Sequence, residues 1–116
     1  MRRFAFALIA VSLLAACAAQ PPTAEAEGLA NDGRDIAEAQ CSGCHAVGGY
    51  GDSPNPAAPT FRTVLSRYHA EVLREELING IRVSHPMPEF QFNPQGADAL
   101  IAYMQSIQEA PAAQTH

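Results

Sequence analysis

Cys41-Ser42-Gly43-Cys44-His45 sets two thiols three residues apart and an imidazole directly behind the second. On a helix end that spacing turns both sulfurs to one face. Ser42 and Gly43 are small enough to let a flat ring lie close against the backbone between them. The pattern C-x-x-C-H is that of covalent haem attachment, in which the sulfurs meet two vinyl groups and the histidine comes beneath the iron. Cys41 and Cys44 are therefore candidate attachment points, and His45 is a candidate axial ligand. Two other chemistries use close cysteines. A redox dithiol ordinarily sits on a fold with βαβ units, and no stretch of this chain shows sustained strand alternation. A structural zinc needs about four ligands. His69 or His85 could join the motif, but no second closely spaced pair exists.

Outward from the motif the chain reads as helical. Before it, Asn31-Asp32 offers a cap and Ile36, Ala37 and Cys41 an apolar side, which predicts a first helix ending at the motif. After it, Gly48, Gly49, Gly51, Pro54, Pro56 and Pro59 crowd one stretch and predict a long loop. Phe61, Val64 and Leu65 then mark a short helix, and Ala70, Leu73 and Leu77 a second one that Gly80 closes. His85-Pro86-Met87-Pro88 is held extended, because the residue before each proline avoids helical geometry and two amide donors are missing. Asn93-Pro94 caps and starts a last helix with Ala97, Leu100, Ile101, Met104 and Ile107 on its apolar face. The expected class is all-α, three to four helices around one haem.

An iron held on both sides by protein exchanges electrons, whereas an open side invites small ligands. Met87 is the candidate on the second side. The fixed φ of Pro86 and Pro88 stiffens its loop, so the sulfur is presented at low entropic cost. His85 is the rival, Met104 reads as packing, and His69 and His116 read as solvated. Arg62, Arg67, Tyr68 and Arg82 are candidates for the carboxylate edge of the ring.

The 116 residues suit one small domain, and a charge of −5 with no Trp sets nucleic acid aside as a partner. Arg2 and Arg3 precede a run from Phe4 to Ala16 that is too short for a membrane-spanning helix of ~20 residues and reads as a signal peptide, residues 1–16. Without that leader five arginines face 12 acids, a charge of −7, and the chain has no Lys. Residues 17–30 read as a flexible linker, 31–110 as the folded domain and 111–116 as a disordered tail. Some 80 residues with a long loop make a marginal core, which a covalently clamped apolar cofactor would help to hold.

Leu14-Ala15-Ala16-Cys17 resembles the lipobox of bacterial lipoproteins, which implies acylation at Cys17 and a membrane tether. An ordinary cleavage site with a soluble periplasmic product is the alternative. From residue 31 to 108 the chain resembles the small class I cytochromes c of bacteria. That resemblance rests on C-x-x-C-H, on Gly33 eight residues before Cys41, on Met87-Pro88 and on Leu100-Ile101-Ala102-Tyr103. It implies haem c with iron as the cofactor, axial ligation by His45 and Met87, a first helix crossing the last at Gly33, and a Pro59 carbonyl bonded to the proximal imidazole. It also implies an electron carrier without enzymatic activity, passing electrons from a reductase or dehydrogenase to an oxidase. Two alternatives are the electron-accepting haem subunit of a periplasmic dehydrogenase, and a haem enzyme or gas sensor with a displaceable distal ligand.

Overall fold

A computed structural model describes residues 20–82, 87–88 and 90–109. Helix α1 spans Ala24–Gln40, α2 Phe61–Val64, α3 Ala70–Asn79 and α4 Pro94–Ser106. There is no strand among the described residues, so the expected all-α class stands. The leader with Cys17, the tail 111–116, and His85 with Pro86 lie outside the described residues.

The first helix starts earlier than its sequence reading. Thr23, extended at φ −75°, caps it by accepting the Ala26 amide, and Glu25 and Glu27 stand in its positive first turn. Residues 24–30 are thus helical, and a linker through residue 30 is corrected to one that gives way to helix at Ala24. Almost nothing in that stretch is buried. Its helicity follows from Ala and Glu propensity and from the low cost of extending a helix already nucleated against the core.

The packing of α1 on α4 organises the domain. A Cβ added to Gly33 would fall 1.9 Å from the Ala99 carbonyl oxygen and 2.9 Å from the Tyr103 Cβ, so the two backbones meet where only glycine fits. Below that crossing Ala37, Ala97, Leu100, Ile101 and Met104 join Phe61, Val64, Leu73 and Leu77 in one core. The Tyr103 hydroxyl donates to the Val47 carbonyl at 2.8 Å, tying α4 to the segment that leaves the motif. Burial pushes its phenol up.

Helix α3 leans on α4 through Leu73 and Leu77 and through an ion pair of Arg74 with Asp98, which holds that carboxyl below the usual range. Gly80, at φ +97°, ends α3 in a conformation that side chains rarely take. Asn93 accepts the Gly96 amide at 2.8 Å and Pro94 fills the first turn of α4, as its sequence implies. The short helix α2 is held from the far end of the chain. Gln108 donates to the Phe61 and Met104 carbonyls at 2.6 and 2.8 Å and accepts from the Leu65 amide.

Candidate functional site

The motif forms a tight turn off the end of α1, with the amides of Cys44 and His45 both directed to the Cys41 carbonyl at 3.1 and 2.9 Å. Cys41 and His45 are buried and Cys44 is half-buried. The two cysteines are not joined in a disulfide. Burial pushes the Cys41 thiol up to about 11. Among the described residues no three His, Cys, Asp or Glu side chains gather as a metal site, and His85 lies outside those residues.

His45 is set by the proline-rich loop. Its Nδ1–H donates to the Pro59 carbonyl at 2.7 Å, the contact implied by the family resemblance. A carbonyl can only accept, so this bond fixes the tautomer with the lone pair on Nε2, the form that ligates a metal. The Phe61 ring lies against the imidazole, centroids 5.3 Å apart.

Residues that sequence reading did not single out stitch this loop to the motif. The Ala46 amide donates to the Ser53 hydroxyl at 3.0 Å and the Asn55 amide to the Cys44 carbonyl at 3.1 Å. Asn55 also accepts the Ala57 amide and shapes the turn toward Pro59. The only advance signal was that Ser and Asn among Gly and Pro often bond nearby backbone.

Beside His45 opens a cavity of about 970 Å³, part of it continuous with solvent. Cys41, His45 and Pro59 line it together with Met87, and Phe61, Leu73, Leu77, Leu100 and Met104 make its walls apolar. A smaller space of about 380 Å³ touches Cys44 and Gly43 and shares Cys41, His45 and Met87 with the first. The structure thus brings together Cys41, Cys44, His45, Pro59 and Met87 from the end of α1, the loop before α2 and the segment before α4. Met104 is buried in the core while also facing the cavity, and His69 is an exposed residue at the start of α3.

These residues fit a haem. The cavity's apolar walls suit a tetrapyrrole, both thiols border it, and a buried imidazole in the ligating tautomer faces it.

A family model described as cytochrome c oxidase, cbb3-type, subunit III matches residues 28–104. The match begins inside the early turns of α1. The cytochrome c oxidase subunit 2 of Alkalihalophilus pseudofirmus is 38% identical over 91 residues, covering 70% of this chain and 26% of that protein. The chain thus spans about a quarter of the relative's length. No solved structure matches it.

Proposed function

From the premise that the chain belongs to the cbb3-type cytochrome c oxidase subunit III family and carries one cytochrome c domain, we propose that it is a membrane-tethered, single-haem electron carrier of the periplasm that serves a terminal oxidase. A haem bound there supplies one-electron chemistry, its iron cycling between Fe(III) and Fe(II).

The chain's own residues do the rest. Cys41 and Cys44 hold the ring covalently. His45, its ring fixed by Pro59, would ligate the iron through Nε2, and the Met87 thioether would be the second protein ligand and would favour the ferrous state. Neither ligand has to move when the charge changes, because each sits on a stiffened segment. The aliphatic walls exclude water and lower the local dielectric. Acylated Cys17 is the tether. No helix among the described residues is long and apolar enough to cross a membrane. The acceptor is read from the relative named as an oxidase subunit.

The observation that carries this reading is the buried His45, bonded 2.7 Å from Pro59 on the wall of an apolar cavity it shares with Met87. Its test is the reoxidation of the reduced protein by membranes containing a terminal oxidase. The expected result is rapid oxidation that cyanide abolishes, with no change in the ferrous spectrum under carbon monoxide at neutral pH. Carbon monoxide binding to the native ferrous protein, or failure to be oxidised, would refute it.

A further inference from the structure

Helix α2 is a single turn, Phe61–Val64, and Thr60 before it makes no side-chain cap. A helix this short does not hold itself, because the nucleating turn fixes several residues for one hydrogen bond. It needs support from outside. Yet two groups that set His45 stand on it or just before it. The Pro59 carbonyl accepts the Nδ1–H at 2.7 Å, and the Phe61 ring lies against the imidazole with centroids 5.3 Å apart. The Phe61 amide also donates to the carbonyl of Ala46, the residue after the motif, at 2.9 Å. Whatever seats α2 therefore seats the imidazole.

The support comes from past the end of α4. Gln108 donates through Nε2 to the Phe61 carbonyl at 2.6 Å and to the Met104 carbonyl at 2.8 Å, while its Oε1 accepts the Leu65 amide at 3.2 Å. The Phe61 carbonyl and the Leu65 amide lie four residues apart, the pair that one α-turn closes. A single carboxamide thus bonds both ends of α2 and ties them to α4. Glu109 adds a second tie, its amide donating to the Arg62 carbonyl at 2.9 Å and its carboxylate meeting the Arg62 guanidinium at 2.7 Å. Glu109 is exposed, so that ion pair contributes little. Gln108 is half-buried and uses both its donors and its acceptor. It lies beyond residues 28–104, the stretch that the family model matches.

We propose, resting on the haem reading above, that Gln108 is a positioning residue for the axial imidazole. Its carboxamide seats α2 so that the Pro59 carbonyl stays on the His45 Nδ1–H, and that bond tunes how strongly the imidazole donates to iron. A firm carbonyl bond makes the ring a more basic ligand and favours Fe(III), whereas a loosened one moves the poise toward Fe(II).

The test compares the full-length haem-loaded protein with its Gln108→Leu, Gln108→Glu and Asn93→Ala variants. Proton magnetic resonance of the ferrous form reads solvent exchange of the His45 Nδ1 proton, redox titration at fixed pH reads the poise, and a thermal melt reads stability. Gln108→Leu should speed the exchange by roughly tenfold, the change in opening that loss of a hydrogen bond produces. It should also raise the Fe(II)/Fe(III) ratio at a fixed potential by about two- to fourfold through the weaker imidazole. Gln108→Glu keeps an acceptor for the Leu65 amide but lacks both donors, so the exchange should quicken there too. Its added negative charge pulls the ratio the other way, and the exchange alone is read for that variant. Asn93→Ala removes the cap at the opposite end of α4 without a change of charge, so it should lower the melt and leave exchange and ratio in place. Gln108→Leu protein that melts earlier yet keeps the wild-type exchange and ratio, or Asn93→Ala protein that shifts both as far, overturns the positioning role. If Gln108→Leu does not accumulate, the exchange in Gln108→Glu decides. Wild-type protein that acquires no haem overturns the function proposed above, whereas haem-loaded protein indifferent to the Gln108 substitutions overturns only this inference.

Discussion

Gly33→Ala is expected to cost on the order of 3–5 kcal/mol of stability, at the upper end of what single substitutions do. The added methyl would stand 1.9 Å from the Ala99 carbonyl oxygen and 2.4 Å from its carbon. Both are backbone atoms of α4, so no side-chain rotation relieves the overlap and the two helices have to separate. That separation opens the core around Ala37, Ala97 and Leu100. For a domain of this size each kcal/mol moves the thermal midpoint by about 4–8 °C, so a fall of about 12 °C or more should appear in a circular-dichroism melt. Gly28→Ala is the control. It lies on the same helix with nothing within 4 Å of its added methyl, so it should be neutral or stabilising by up to ~1 kcal/mol. An unchanged midpoint for Gly33→Ala would mean that α1 and α4 do not cross there.

Met87→Ala should leave the haem attached and change everything about the sixth position. Cys41, Cys44 and His45 are untouched, so the ring stays. The sulfur-to-iron charge-transfer band of the ferric protein should vanish and the ferrous form should bind carbon monoxide. The potential should fall by on the order of 0.1 V or more, within the roughly 0.8 V that axial ligands command. Loss of a donor that stabilises Fe(II) sets the direction. Among the described residues the wall of the same cavity also carries the thioether of Met104, a buried residue of α4. If visible and magnetic spectra show unchanged coordination in this variant, Met87 is not the ligand. Replacement by a nitrogen-donor spectrum would point to His85.

Much of this arrangement could be read before any coordinates. The cap and first turn of α4 were legible because Asn93 and Pro94 each admit few other roles, and the end of α3 because Gly80 tolerates a backbone that others do not. The motif announced its own chemistry through spacing. Gly33 was legible only through the family resemblance; by itself a glycine in an Ala-rich helix looks like a weakness. The start of α1 is not legible because low apolar content is shared by linkers and by exposed helix, and a helix anchored further along can run on through exposed Ala and Glu. The Pro59 contact also came from resemblance, since nothing local says that a carbonyl 14 residues on meets the imidazole. The lacing by Ser53 and Asn55 was illegible for the same reason. It depends on where a loop folds back, and loop closure leaves no periodic trace in sequence.

The most direct check is the fate of the chromophore when the full-length chain is purified from a bacterial host able to attach haem to exported proteins. The purified chain should be red, should keep its colour through acidic acetone extraction, and should show an intact mass heavier by one haem that is lost when Cys41 and Cys44 are both replaced by Ala. A colourless product, or one whose haem is extracted freely into the solvent, would contradict the account at its root.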